Sequence, residues 1–255
     1  MKPILLEVVA YNFATAQEAH RCGADRIELC DNPHEGGTTP SYGTIEMCRK
    51  HINTDLFVMI RPRGGDFLYT LHEIDIMKKD IMMCKRLGID GVVLGVLTSV
   101  GTINTKVCEE LIQLARPMQV TCHRAFDMTV DLMHSLEDCI GVGFDRILTS
   151  GGATKVMDGL TRVEQLMTNS NGRIIIMPGS GIDDTNVVEV IRSTRAGEIH
   201  LSSSKMRESE MTFRNGKLAG LGTSGINPYD YHFLDREKLI RVKEKAIEAA
   251  ALAAS

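Results

Sequence analysis

The chain is 255 residues long, 43% hydrophobic and 24% charged, ordinary figures for a soluble protein able to bury a sizeable core. A net charge of −4 at pH 7 supplies no electrostatic pull on nucleic acid or an anionic membrane, and no apolar run is long enough to span a bilayer. Seven scattered cysteines and no signal-peptide pattern lead us to expect a cytosolic protein in a reducing compartment.

Residues 4–9 (ILLEVV) read as a first strand, and 15–22 as an amphipathic helix closed by Gly23. Strand two is 26–30 (RIELC), followed by the loop EGGTTP at 35–40. Strand three is 56–62 (LFVMIRP), overlapping the loop RPRGGDF at 61–67, and a helix over 73–87 ends at Gly88. Strand four covers 91–97 and precedes a helix over 105–115; strand five covers 119–125 (QVTCHRA) and precedes a helix over 131–140. Strands at 146–150, 174–178 and 198–203 alternate with helices over 155–168 and 183–193. Gly-Ala-Asp-Arg at 23–26, Gly-Ile-Asp-Gly at 88–91 and Gly-Phe-Asp-Arg at 143–146 repeat one helix-to-strand turn. Eight strands alternating with helices predict an α/β fold, a single-domain (β/α)8 TIM barrel over residues 1–210. Residues 205–234 lack periodicity and are expected to wrap the barrel, with a closing helix over 235–254; the extension 211–255 packs on the barrel and is no separate domain.

In such barrels the chemistry sits at the carboxyl ends of the strands. That rim is unusually polar: Glu7 on strand one, Glu28 and Cys30 on strand two, Arg61 and Arg63 at strand three, His123, Arg124 and Asp127 at strand five, and His200 on strand eight. Alternation places Glu28 with Cys30, Arg61 with Arg63, and His123 with Asp127 on shared faces. Arg124 should then point away and is the member most readily read as structural. Glu7, Glu28, His123 and Asp127 are the acid–base candidates. Arg61, Arg63, Arg124 and His200 are candidate anion holders, joined by Ser150, Gly151, Gly179, Gly181 and Ser202 in the runs TSGG, MPGSGI and SSS, whose amides could cradle a phosphate or could simply form tight turns. Thr38, Thr39 and Asp66 lie in the two glycine-paired loops expected over the mouth. There is no Cys-x-x-Cys or His-x-x-x-His, so spacing alone gives little metal signal, and the fourteen methionines read as core filling.

GADRIELC (23–30), EGGTTPS (35–41), MIRPRGGDFLY (59–69), TCHRAFDM (121–128), ILTSGG (147–152), MPGSGI (177–182) and MTFRN (211–215) together resemble the CutC family of copper homeostasis proteins. The resemblance runs from about Glu7 to Asn215. It implies a TIM barrel, a cytosolic location, a homo-oligomer, a role in copper homeostasis and possible Cu(I) binding with Cys30 as a weak ligand candidate. In some relatives a second cysteine follows the first-strand glutamate by two positions; Val9 stands there in this chain. A single thiolate is a poor Cu(I) site without His or Met. The residues themselves support an alternative: a metal-independent enzyme acting by acid–base chemistry on a small phosphate- or carboxylate-bearing metabolite.

Overall fold

The computed structural model describes residues 4–217 and 227–252. In chain order the barrel elements are β1 Leu5–Ala10, α1 Phe13–Arg21, β2 Arg26–Leu29, α2 Tyr42–His51, β3 Asp55–Met59 and α3 Leu71–Arg86. They continue with β4 Gly91–Leu94, α4 Thr105–Ala115, β5 Gln119–Cys122, α5 Leu132–Val142, β6 Arg146–Thr149, α6 Leu160–Ser170, β7 Ile175–Pro178, α7 Val187–Thr194 and β8 Glu198–Leu201. The tail adds β9 Ser204–Glu208, β10 Asp230–Leu234 and α8 Arg236–Leu252.

The repeated turn is one physical device used three times. Gly23, Gly88 and Gly143 adopt φ of 79°, 67° and 89°, the left-handed conformation that ends a helix at little cost to glycine. Two residues later an aspartate turns back on the preceding strand. Asp25 accepts from Leu6 N at 3.0 Å, Asp90 from Leu56 N at 2.8 Å and Asp145 from Val120 N at 2.7 Å. Each turn therefore stops a helix and satisfies a strand amide that would otherwise be orphaned.

The strands pair in parallel in the order β7-β6-β5-β4-β3-β2-β1-β8. The sheet curls until its two end strands meet: a Cβ built on Gly179, just after β7, would lie 3.2 Å from the Cβ of His200 on β8. The fold is the expected eight-stranded parallel barrel, nearly closed. Outward residues such as Leu6, Val8, Ile27, Val58, Val92, Val120, Ile147 and Ile199 join the helices in one continuous apolar core. Each such side chain contributes about 1.5–3 kcal/mol by leaving water. Since both faces of a parallel sheet are covered, the polar strand residues can only point into the barrel.

Several boundaries differ from expectation. A helix, α2, lies between strands two and three where only a loop was expected; its N-cap is Ser41, which accepts from Thr44 N. Strands three, four and five end early, at Met59, Leu94 and Cys122, so Arg61, Arg63, His123, Arg124 and Asp127 lie in loops beyond them. Within the expected wrapping segment, β9 and β10 pair as antiparallel strands; residues 218–226 of that segment lie outside the described residues. The closing helix is α8, described to Leu252. Arg241 pairs with Asp184 at 2.8 Å beside α7, and Lys243 reaches Gly23 O at 2.6 Å after α1, so α8 fills the gap between the first and last barrel helices.

Candidate active site

The barrel interior is layered, and its floor is ionic. Arg26 donates to Glu7 and to Glu198, both at 2.5 Å, and Arg146 donates to Glu198 at 3.0 Å and to Gln119 at 2.6 Å. The Phe57 ring lies between the two guanidiniums, 4.8 and 5.0 Å from them. Two cations thus face two anions around an aromatic plate, which is how charges survive away from water. Burial opposes the charge on Arg26, but Glu7 and Glu198 outweigh it and raise its pKa. Arg26 and Arg146 were not singled out in the sequence, although both occupy the same place in the repeated turn and Arg26 shares the face of Glu28.

One layer up, Glu7, Glu28 and His200 come together, with one donor atom from each within 4.8 Å of the others. Register explains the meeting: Glu7 is level with His200 on β8, and Glu28 is level with Val9 on β1. His200 Nδ1 is 2.8 Å from Glu7 Oε1, and its Nε2 is 3.9 Å from Glu28 Oε2. Burial alone would raise the Glu7 carboxyl, but the His200 hydrogen bond and the Arg26 charge pull it down to about 2. For Glu28 burial dominates; His200 opposes it, Glu7 adds to it, and the carboxyl is pushed up to about 6. The same geometry gives two carboxylates opposite characters. Burial lowers the His200 pKa, but Glu28 and Glu7 more than reverse this.

Above this layer a cavity of about 280 Å³ opens at the carboxyl ends of the strands. Glu28, Arg61, His123, Arg124, Gly181, His200 and Ser202 line it, together with Val9, Tyr11, Met59, Phe67, Leu148 and Ser180. Tyr11 continues the alternation of Glu7 and Val9, so it could have been read from the sequence. His123 packs against the Phe67 ring at 4.7 Å, and Ala125 N donates to its Nδ1 at 3.2 Å. Burial and the neighbouring Arg61 depress its pKa to about 3, keeping the ring neutral. Arg61 is buried; it donates to the carbonyls of Glu35, Gly37 and Gly65 at 2.5, 2.8 and 2.7 Å, while its own amide donates to Thr39 Oγ1 at 2.9 Å. The loops EGGTTP and RPRGGDF therefore serve to fix Arg61.

Other candidates fall elsewhere, for identifiable reasons. Arg63 points to the surface, pairing with Glu73 at 2.6 Å and Asp66 at 2.9 Å, because strand alternation ends at Met59. Arg124, expected to point away, lies on the cavity wall because the chain has already left β5. Asp127 faces the loop after β6 instead of the cavity. Its carboxylate accepts from Thr149 Oγ1, Ser150 N, Ser150 Oγ, Gly152 N and Arg124 Nε. It is an internal anion seated in the nest that TSGG makes, so Ser150 and Gly152 are not free to hold a phosphate. The Gly151 amide is likewise spent on Thr149 Oγ1 and the Gly179 amide on Thr149 O. Cys30 Sγ lies 3.5 Å from Glu28 Oε2, inside an apolar cluster with Val9, Phe57, Met59 and Val93. Burial, reinforced by Glu28, raises its thiol pKa well above the ordinary value.

A model described as the CutC family matches residues 4–205. The chain belongs to the CutC family. The human protein named copper homeostasis protein cutC homolog is 43% identical over 235 residues, 92% of this chain and 86% of that protein. Its mouse counterpart is 46% identical over the same shares. A crystal structure of CutC from Streptococcus agalactiae matches with a TM-score of 0.74 at 34% identity, covering 78% of this chain and 98% of that one. Thiamine phosphate pyrophosphorylase from Pyrococcus furiosus, with a TM-score of 0.59 at 15% identity, shares only the barrel fold. In this CutC-family chain Val9 packs in the same apolar cluster as Cys30.

Proposed function

We propose that this CutC-family chain binds a small carboxylate- or phosphate-bearing metabolite in the barrel mouth and moves a proton on it. One observation carries the reading. Glu28 Oε1 and His123 Nε2 are buried polar atoms without a hydrogen-bond partner among the described residues, and both residues line one cavity. A buried polar atom without a partner costs about 1–3 kcal/mol, and a ligand presenting both donors and acceptors removes that penalty at each of the two. Arg124 and Arg61, whose guanidiniums are already held by protein acceptors, place positive charge beside the cavity, and Glu28, pushed up to about 6, supplies the proton acceptor. A cytosolic setting belongs to the same reading, supported by seven unpaired cysteines. So does the homo-oligomer implied by the family; exposed Met206 and Tyr231 on the tail strands and Phe213 beyond them offer it an apolar surface.

The relatives' name motivates a second reading, direct copper binding, and the grouping of Glu7, Glu28 and His200 favours it. Cu(I) prefers soft sulfur donors, and the apolar cluster offers it one thiol, Cys30, and one thioether, Met59. Cys30 is a lone thiol held protonated by burial, and both Glu7 oxygens are taken, by Arg26 and His200.

Two measurements test these readings. Mass spectrometry of molecules copurified with the protein should find a small anion, and Arg61→Ala and His123→Ala should each release it. Retention by both variants would refute the anion pocket. Copper titration of the reduced protein should show equally weak Cu(I) binding by the unsubstituted chain and by Cys30→Ser; a tight site lost in Cys30→Ser would instead establish copper binding.

A further inference from the structure

We propose that the cavity is built for enolisation: Glu28 removes a proton from a carbon beside a carbonyl, while neutral His123 donates a hydrogen bond to the carbonyl oxygen. The inference rests on the anion-pocket reading and adds the substrate class, an α-hydroxy carbonyl compound bearing a phosphate or carboxylate.

Tautomer geometry decides the role of His123. Ala125 N donates to Nδ1, so that nitrogen is an acceptor, and the single proton of a neutral ring must sit on Nε2. Nε2 is buried, without a partner among the described residues, and belongs to a cavity-lining residue. With its one lone pair engaged, this imidazole cannot serve as a base. It can donate to an oxygen that becomes negative during reaction, and burial makes such a donor effective. The ring cannot easily turn away, since Phe67 packs against it at a tilt of 47° with centroids 4.7 Å apart, and a Cβ at position 95 would come within 2.9 Å of it.

Glu28 has the complementary character. Its Oε1 lacks a partner among the described residues, and where Glu7 accepts a hydrogen bond from Arg26 and another from His200, the weaker pull of His200 and Arg26 on Glu28 does not overcome burial, which makes it the more basic carboxylate. It stands on β2, three strands around the barrel from β5, whose end carries His123. A small ligand in the cavity between them would be touched from both sides. Mechanisms needing two reactive carboxylates are disfavoured because both Glu7 oxygens are committed.

In the proposed step the C–H bond breaks, its proton goes to Glu28, and its electron pair forms a carbon–carbon double bond. The carbonyl π pair moves onto oxygen, where the His123 Nε2–H holds it. Returning the proton to the neighbouring carbon, with a hydroxyl proton passing between the two oxygens, interconverts aldehyde and ketone. This interconversion balances without a co-reactant.

The test uses dihydroxyacetone phosphate, ribulose 5-phosphate and hydroxypyruvate as probes in D2O. Saturation-transfer NMR reads binding, and loss of the α-proton signal reads enolisation. At least one probe should bind and exchange its α-proton, with a rate that rises as pH passes about 6. Glu28→Gln should keep binding while exchange falls by about 10²–10⁴-fold. His123→Leu should lower exchange, and His123→Gln, which retains an N–H donor, should restore part of it; circular dichroism confirms that each variant is folded. Binding without exchange above the buffer rate by any probe overturns enolisation and leaves the anion pocket standing. Failure of every probe to bind overturns both.

Discussion

His200 Nδ1 lies 2.8 Å from Glu7 Oε1, and that contact joins the ionic floor of the barrel to the cavity above it. Glu7 is thereby committed on both oxygens, to Arg26 through one and to His200 through the other. His200 in turn presents Nε2 towards Glu28 at 3.9 Å. The chain of contacts separates a carboxylate that holds structure from one left available for chemistry.

Removing the first should cost stability with a defined pH signature. Glu7 is held at about 2 against an ordinary 4.5, so its stabilisation is fully present above pH 4.5 and is lost as pH falls towards 2. Substituting Glu7→Gln also leaves Arg26 and Arg146 to share the single carboxylate of Glu198, and breaking a buried pair costs about 3–5 kcal/mol. Urea unfolding at pH 7 should show a loss of that order, shrinking by pH 3. A gap of constant size across this range would contradict the assignment.

Glu28 should behave with the opposite sign. Its folded value of about 6 exceeds 4.5, so the protonated form is favoured in the fold; its contribution is fully present below pH 4.5 and is lost as pH rises through 6. The loss is about 2 kcal/mol at pH 8. Glu28→Gln keeps the shape without the charge and should be more stable than the parent at pH 8 and indistinguishable at pH 4. Equal stabilities at pH 8 would show that the carboxylate is not strained there.

Asp127 offers a test that separates architecture from catalysis. Its carboxylate fills the nest after β6 and holds Arg124 Nε at 2.8 Å. Asp127→Ala should cost about 2–3 kcal/mol, because charge-assisted hydrogen bonds are lost and their buried donors orphaned. Formate at tens of millimolar should restore part of the melting temperature in this variant and none in the parent. Absence of rescue would mean that the nest does not select an anion.

The barrel itself was legible because its signals are local and repeated. The Gly-x-Asp turns, the apolar strand cores and the Thr105–Ala115 periodicity each specify their own structure. Helix α2 was not, since Ile45 and Cys48 are its only buried side chains and its start resembles the preceding loop; Ser41 as an N-cap was the one available sign. Glu28 and His200 drew notice because charged residues inside a covered parallel strand need an explanation, and Arg61 and His123 because they follow the strand ends directly; all four line the cavity. The directions of Arg63 and Arg124 were misjudged because alternation was extended past the ends of the strands, although Arg124 does have the structural role expected of it, bonded to Asp127, Ser150, Ser180 and Ala153. Asp127 was misread because nothing in TSGG reveals that its nest is filled from within.

Gly179 makes the same point about glycine-rich strand ends. Its amide is used by Thr149 O, so its lack of a side chain serves packing at the β7–β8 seam. A Cβ there would press on Leu148 Cδ1 well inside van der Waals contact and lie 3.2 Å from His200 Cβ. Gly179→Ala should destabilise the protein by about 1–3 kcal/mol through overpacking. The same methyl would push the His200 ring relative to Glu7, so the pH at which stability falls through Glu28 should move as well. NMR titration of the His200 ring in parent and variant checks this coupling. An unchanged titration alongside lost stability would confine the effect to packing.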